Sequence, residues 1–349
     1  MSMRAMMSER WSALAHQIDG IFEVHRAGLR SRGGYRNPAL NPPSAEHQVI
    51  DVRAADGARL RVHAYGPEDA QPMVLIHGWT CCLEYWNPQI NAFAGEYRVI
   101  AFDLRGHGES EFGHPDQLDC HLLADDLCAV LDAVLRPGQR AVVVGHSLGA
   151  MTVQAWAGKY PQRVLDQAAA VVLANTGPYA LVDETTVVPF FNRPLPLLNR
   201  KVPLPMWLGR GGLSARIVFP PIAPVRWVFA RQIMSLDAEP ETIDFGLNIA
   251  RSCRSWVRSE FGRLLAEMDL GDAARQLMVP TTVVAGTADD MTPAVHAEQI
   301  AEWLRESGNL ARFVLLPTGH LGTVEAIDRF NEILGEVLAS VRAPAEAVG

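Results

Sequence analysis

Ser147 is the residue of this chain best placed to attack a carbonyl. It stands in Gly145-His146-Ser147-Leu148-Gly149, directly after the valine run Val142-Val143-Val144. Three valines bounded by turn formers read as a short strand buried on both faces, and the residues from Leu148 to Tyr160 are helix formers. A strand that becomes a helix within about two residues must turn sharply, which strains the residue at the apex and lifts its side chain clear of the sheet. Gly145 and Gly149 fit this turn, because a Cβ at either place would obstruct the close strand–helix approach. The helix N-terminus also points free amides at the same spot and favours negative charge there.

A serine hydroxyl needs a base to take its proton during attack. Of the eleven histidines, His320 is the best placed: it follows the strand-like run Arg312–Leu316 through Pro317-Thr318-Gly319, on a loop at a strand's carboxyl end. His146 adjoins Ser147 and is expected to point away from it, while His77, His107 and His114 read as turn or scaffold residues. The imidazole needs an acid to fix its tautomer and stabilise the imidazolium. Asp289 and its neighbour Asp290 both follow the strand-like run 281–286, and the sequence alone leaves the second of the pair open. No His, Cys, Asp and Glu cluster has metal-ligand spacing, so no metal and no other cofactor is expected.

These residues have to be positioned by a regular alternation of elements. Strands are predicted at 48–54, 59–65, 73–77, 98–102, 141–145, 169–175, 281–286 and 312–316, with a hairpin turn at Asp56-Gly57. Helical patterns fall at 83–94, 119–135, 148–160, 294–307 and 323–342, and Cys120 and Cys128 read as small buried residues on one of them. A hairpin followed by repeated strand–helix units implies a mostly parallel sheet covered on both faces, with chemistry at the carboxyl ends of the strands. Residues 178–278 are too many for one crossover; with their prolines and Trp207, Phe219, Trp227, Phe229 and Trp256 they are expected to form a helical cap.

Within 192–236 stand seven cations and no acid (Arg193, Arg200, Lys201, Arg210, Arg216, Arg226 and Arg231), read either as a solvated basic face or as a surface for an anionic interface or acidic substrate. Upstream, Trp11, Leu14, Ile18, Ile21, Phe22 and Leu29 mark an amphipathic helix over 8–30. Its apolar face either packs on the body of the protein or meets a dimer partner or a membrane surface. Gly33-Gly34 and the proline-rich stretch Asn37–Pro43 form a linker. The division expected is a helix and linker over 1–46, a core of 47–177 and 279–342, the cap over 178–278, and a tail at 343–349.

Composition bounds the rest. The chain has 349 residues, 48% hydrophobic and 20% charged, which describes a soluble globular protein, and its net charge of −8 gives no support for nucleic-acid binding. Five cysteines, an odd number that includes the adjacent pair Cys81-Cys82, point to reduced thiols and a cytoplasmic setting, with peripheral membrane attachment left open. No apolar run approaches the roughly 20 residues that span a bilayer, and Arg4 and Arg10 precede no continuous apolar stretch, so no secretory leader is expected.

The motifs taken together resemble the α/β-hydrolase fold family over residues 47 to 342. His77-Gly78-Trp79 follows the third strand and Asp103-Leu104-Arg105-Gly106-His107-Gly108-Glu109-Ser110 the fourth. Gly145 to Gly149 follows the fifth, Gly286-Thr287-Ala288-Asp289 with Thr292-Pro293 the seventh, and Gly319-His320 the eighth. The resemblance implies an α/β fold: an eight-stranded, mostly parallel sheet with helices on both faces and a helical cap inserted after the sixth strand. It implies Ser147 as nucleophile, His320 as base and Asp289 as acid, since the place after the sixth strand used by some relatives holds Asn175. It also implies an oxyanion hole made by the backbone amides of Trp79 and Leu148.

The activity implied is that of a serine esterase or lipase-like hydrolase working through an acyl-enzyme on an ester with an apolar part. Lactonase, C–C bond hydrolase and cofactor-free perhydrolase chemistry would retain the same three residues. Haloalkane dehalogenases and epoxide hydrolases place aspartate where Ser147 stands, and a non-catalytic binding protein on this scaffold would be expected to break the triad.

Overall fold

The computed structural model of the protein describes residues 23–31, 34–114, 118–179, 181–188, 191–192, 202–215 and 222–342. Eight strands form one sheet: β1 His47–Arg53, β2 Arg59–Tyr65, β3 Pro72–Ile76, β4 Arg98–Phe102, β5 Ala141–His146, β6 Ala168–Ala174, β7 Thr281–Gly286 and β8 Leu310–Leu316. Their order across the sheet is β1-β2-β4-β3-β5-β6-β7-β8. Only β2 pairs antiparallel, with β1 and with β4, and every pair from β4–β3 to β7–β8 is parallel. All residues of β3, β4, β5 and β7 are buried, as the uninterrupted apolar runs require of strands covered on both faces.

The helices that cover the sheet follow the sequence pattern except where proline or a short turn intervenes. The stretch expected as one helix over 83–94 begins as a 3-10 turn at Leu83–Trp86 and becomes α-helical over Asn87–Phe93, where Pro88 occupies an early position that needs no amide donor. Helix Leu148–Lys159 ends before Pro161, which starts a second short helix, Pro161–Gln167. The pattern over 323–342 divides at Ala326 into Gly322–Glu325 and Ile327–Val341. Helices Cys120–Val134 and Ala294–Glu306 match their expected spans to within a residue. Of the N-terminal helix expected over 8–30, residues 23–31 are helical and the remainder lies outside the described residues, as does the tail from 343.

Between β6 and β7 the described residues form helices Leu181–Glu184, Met206–Leu213, Ala223–Ile233, Pro240–Ala250 and Ser255–Glu267. The basic run reads differently once folded. Arg210 pairs with Glu267, and Arg226 meets Asp244 at 2.5 Å, so acids from later helices neutralise charges that stand alone in the sequence. Arg193, Arg200, Lys201 and Arg216 lie outside the described residues. Among the described residues no helix is long and apolar enough to cross a membrane.

The motif from Asp103 to Ser110 is a scaffold. The Asp103 carboxylate accepts from the Leu83 amide at 2.6 Å, the Glu109 amide at 2.9 Å and Arg61 Nη1 at 3.2 Å, so one buried side chain ties three segments together. Gly108 has φ +48° and a Cβ there would lie 2.2 Å from Asp103 Oδ2, which explains why that position must be glycine. Arg105, fully buried, reaches Asp126 at 2.6 Å and Asp56 at 2.8 Å, so its charge is compensated on both sides.

The turn after β5 fixes the site. Ser147 has φ 54° and ψ −119°, a conformation that a non-glycine residue adopts only under constraint. A Cβ on Gly149 would lie 2.2 Å from the Ile76 carbonyl oxygen and one on Gly145 would lie 2.5 Å from Ala150 Cα, so the backbones of β3, β5 and the helix touch without side chains between them. Gly149→Ala is therefore expected to lose about 2 kcal/mol or more of stability. A urea midpoint equal to wild type would contradict this packing.

Candidate active site

Three side chains from separate strand ends meet at the carboxyl edge of the sheet. Ser147 comes from the turn after β5, Asp289 from the turn after β7, and His320 from the loop after β8. His320 Nε2 lies 2.9 Å from Ser147 Oγ, and His320 Nδ1 lies 2.9 and 3.1 Å from the two Asp289 oxygens. A carboxylate can only accept, so Nδ1 carries the proton, and in the neutral ring Nε2 is left to accept from the serine hydroxyl.

The pair left open by the sequence is separated by orientation. The Asp289 carboxylate turns into the site, whereas Asp290 turns to the inserted segment: its side chain receives the Thr186 hydroxyl, and its carbonyl accepts from Thr185 Oγ1 at 2.9 Å. Asp289 is further held by the amides of Met291 and Thr292, each at 2.9 Å, by Thr292 Oγ1 at 2.8 Å and by Asn175 Nδ2 at 3.0 Å. Burial alone would raise its pKa; the His320 ring and the donors from Thr292 and Asn175 outweigh that and hold it below the ordinary carboxylate value.

The loop after β3 closes on Ser147 from the other side. A Cβ on Gly78 would lie 3.0 Å from Ser147 Cβ, so the backbone leading into Trp79 passes directly against the serine. His77 pins that loop, its Nε2 accepting the Leu104 amide at 3.0 Å while Nδ1 donates to the Gly78 carbonyl at 2.8 Å. Among the described residues no protein acceptor takes the amide of Trp79 or of Leu148, which leaves both free to serve an oxyanion. The Trp79 ring lies 4.8 Å beneath the Arg258 guanidinium, and its Nε1 donates to the Arg258 carbonyl at 3.1 Å.

Sequence reasoning missed two positions. His146 does avoid the serine hydroxyl, but its Nε2 lies 2.9 Å from the His320 carbonyl and donates to it, holding the His320 backbone. Asn175, at φ 47°, links Asp289 to the Gly319 carbonyl at 3.1 Å. The chain signals neither role, because each partner lies more than a hundred residues away.

Above these residues opens a cavity of about 550 Å³. Its floor includes Ser147, Met151 and His320, and its walls include Leu208, Val225, Phe229 and Leu265 from the inserted helices. Among the described residues the lining is overwhelmingly apolar, with Arg258 its sole arginine or lysine.

A model of the alpha/beta hydrolase family matches residues 73–333, most of the chain. The chain belongs to this family. Among curated relatives, the non-heme chloroperoxidase of Streptomyces lividans is 29% identical over 287 residues, covering 78% of this chain and 94% of that protein. 3-Oxoadipate enol-lactonase 1 of Acinetobacter baylyi is 23% identical over 312 residues, covering 85% and 100%. Among solved structures, a thermophilic esterase from Thermogutta terrifontis superposes with a TM-score of 0.64 at 24% identity, covering 86% of this chain and 100% of that one, and so shares the fold. The protein is thus a hydrolase of the alpha/beta fold family, with an eight-stranded sheet.

Three motif histidines are held neutral by burial, His77 with a pKa lowered to about 4 and His107 and His146 to about 3. Their folded values lie below the unfolded value near 6.5, so the unfolded chain binds more protons. The stability they permit is complete above about pH 6.5 and is lost as the pH falls toward the folded values, by about 1.4 kcal/mol per pH unit for each ring. Urea midpoints are expected to drop between pH 7 and pH 5, and a flat profile would show that these rings are not buried neutral.

Proposed function

We propose that the protein hydrolyses a carboxylic ester with an apolar acyl or alcohol part, through an acyl-enzyme on Ser147. The observation that carries this reading is the line of hydroxyl, imidazole and carboxylate at the floor of a large apolar cavity. Ser147 Oγ attacks the ester carbonyl as His320 Nε2 takes its proton, and the oxyanion rests on the Leu148 and Trp79 amides. The ester C–O bond breaks, the alcohol leaves with the proton from His320, and Asp289 stabilises the imidazolium meanwhile. Water, deprotonated by His320, then attacks the acyl carbonyl and releases the acid and the free serine.

In this reading the helices within 178–278 act as a cap on a core of 47–177 and 279–342, and their inner faces select the substrate by shape and apolarity. The five free, buried cysteines fit a reducing compartment such as the cytoplasm. A lactone is the second reading, supported by the likeness to a protein named an enol-lactonase over its whole length; the size of the cavity favours an extended apolar ester instead.

We also propose contact between the cap and a membrane surface. Trp207 and Trp227 are 74% and 65% exposed on helices whose other residues line the cavity, and tryptophan suits the lipid–water interface.

Ser147→Ala is expected to lower p-nitrophenyl ester turnover by about 10⁴-fold or more while leaving the thermal midpoint nearly unchanged. A fluorophosphonate should label wild type and not this variant; a folded wild type that stays unlabelled, or retained turnover in the variant, would remove the nucleophile. An acyl-ester series set against a lactone panel ranks the two readings, and preference for lactones would reverse the order. In flotation with phosphatidylglycerol vesicles, wild type should rise with the lipid and a Trp207→Ser/Trp227→Ser variant should not. Wild type left wholly in the soluble fraction ends the membrane proposal.

A further inference from the structure

The backbone of His320 is suspended between two parts of the molecule. Its carbonyl accepts from His146 Nε2 at 2.9 Å, on the nucleophile turn. Its amide donates to the Ile233 carbonyl at 2.7 Å, at the last residue of the inserted helix Ala223–Ile233. The residue before it packs against the same segment: a Cβ on Gly319 would lie 2.5 Å from both Met234 Cα and Met234 C, so the two backbones touch directly.

A single carboxylate oxygen closes this contact. Glu325 Oε2 accepts the Gly319 amide at 3.1 Å and the Ser235 amide at 2.8 Å, one donor beside His320 and the other just beyond the inserted helix. Glu325 is fixed to the same loop by its own short turn, its amide donating to the Leu321 carbonyl at 2.9 Å. Helix Ala223–Ile233 meanwhile lines the cavity through Val225, Val228, Phe229 and Ile233. The helix that touches a substrate's apolar part therefore also holds the loop of the base.

We infer that Glu325 is a positioning residue that locks this helix to the His320 loop, so that the seating of the cap helix sets the imidazole within reach of Ser147. The inference rests on the assignment of His320 as the base. It follows from the chemistry of proton transfer, which tolerates little displacement: a shift on the order of 1 Å at the reacting groups can cost about 100-fold in rate. Without Glu325, two backbone donors lose their shared acceptor, and among the described residues the Ile233 bond and the Gly319–Met234 backbone contact are left to tie the two segments.

The test compares Glu325→Ala and Glu325→Gln in the full chain. Glutamine keeps an oxygen that can accept both amides but removes the charge. With p-nitrophenyl acetate, Glu325→Ala is expected to lose about tenfold in kcat with KM within about twofold, and Glu325→Gln to recover most of that loss. Amide hydrogen exchange gives a readout that needs no turnover: in Glu325→Ala, peptides covering 232–238 and 316–326 should both exchange faster, and in Glu325→Gln they should not.

Inactive, unlabelled wild type would end the esterase reading, while the exchange data would still report on the lock. A folded Glu325→Ala with wild-type kcat and wild-type exchange overturns the proposal, and so does an equal loss in both variants, because the charge would then be what matters. Should Glu325→Ala not fold, Gly319→Ala presses a methyl against the Met234 backbone and separates the same contact. It carries the same expected fall in kcat, and unchanged turnover there overturns the proposal as well.

Discussion

The contact on which the site rests is between backbones, where β3, β5 and the helix Leu148–Lys159 meet with only the hydrogens of Gly145 and Gly149 between them. That contact forces the strained conformation of Ser147, and the strain is sustained because the parallel strands on both sides of β5 are fully packed. Everything the site does depends on it. The turn sets the serine hydroxyl above the sheet, frees the Leu148 amide at a helix N-terminus, and brings Gly78 and the Trp79 loop against the serine. A looser turn would let the backbone relax and the hydroxyl fall back toward the strand.

Around this point the buried polar groups are arranged so that each fixes a neighbour. Asp289 has five donors if the imidazole is counted, which keeps a buried carboxylate ionised without a formal salt bridge to lysine or arginine. His77 and His146, each held neutral, serve as spacers that hydrogen-bond backbone: one sets the loop that carries Trp79 and the other the loop that carries His320. Farther out, Asp103 and Arg105 hold the segments after β4 in place. The apolar cavity then sits on a floor whose geometry is fixed from below by the sheet and from the side by the inserted helices.

Much of this was legible in the chain because it is local. Strand spans, the Asp56-Gly57 hairpin and the helix starts follow from apolar runs, glycine and proline, whose effects act over a few residues. Even the discrepancies are local in origin: Pro88 marks where the helix expected over 83–94 becomes two short elements, and Pro161 opens a short helix beyond the one expected over 148–160. The basic run of 192–236 shows the opposite, a feature that changes through distant contacts. Its arginines look unopposed along the chain, yet Glu267 and Asp244 reach Arg210 and Arg226 through the packing of helices that are distant in sequence.

The sequence by itself determined the turn at Ser147, the order of strands and helices, and the three strand ends at which Ser147, Asp289 and His320 stand. Backbone preference and hydrophobic period encode those, and both are properties of neighbouring residues. Only the tertiary structure decided that Asp289 rather than Asp290 faces His320, that His146 and Asn175 hydrogen-bond the His320 backbone and the Asp289 carboxylate, and that the segment after the inserted helix meets the His320 loop through Glu325. Adjacent carboxylates have the same chemistry; which of them meets an imidazole depends on how one turn is rotated against another loop, and that rotation is set by contacts spanning the whole sheet edge.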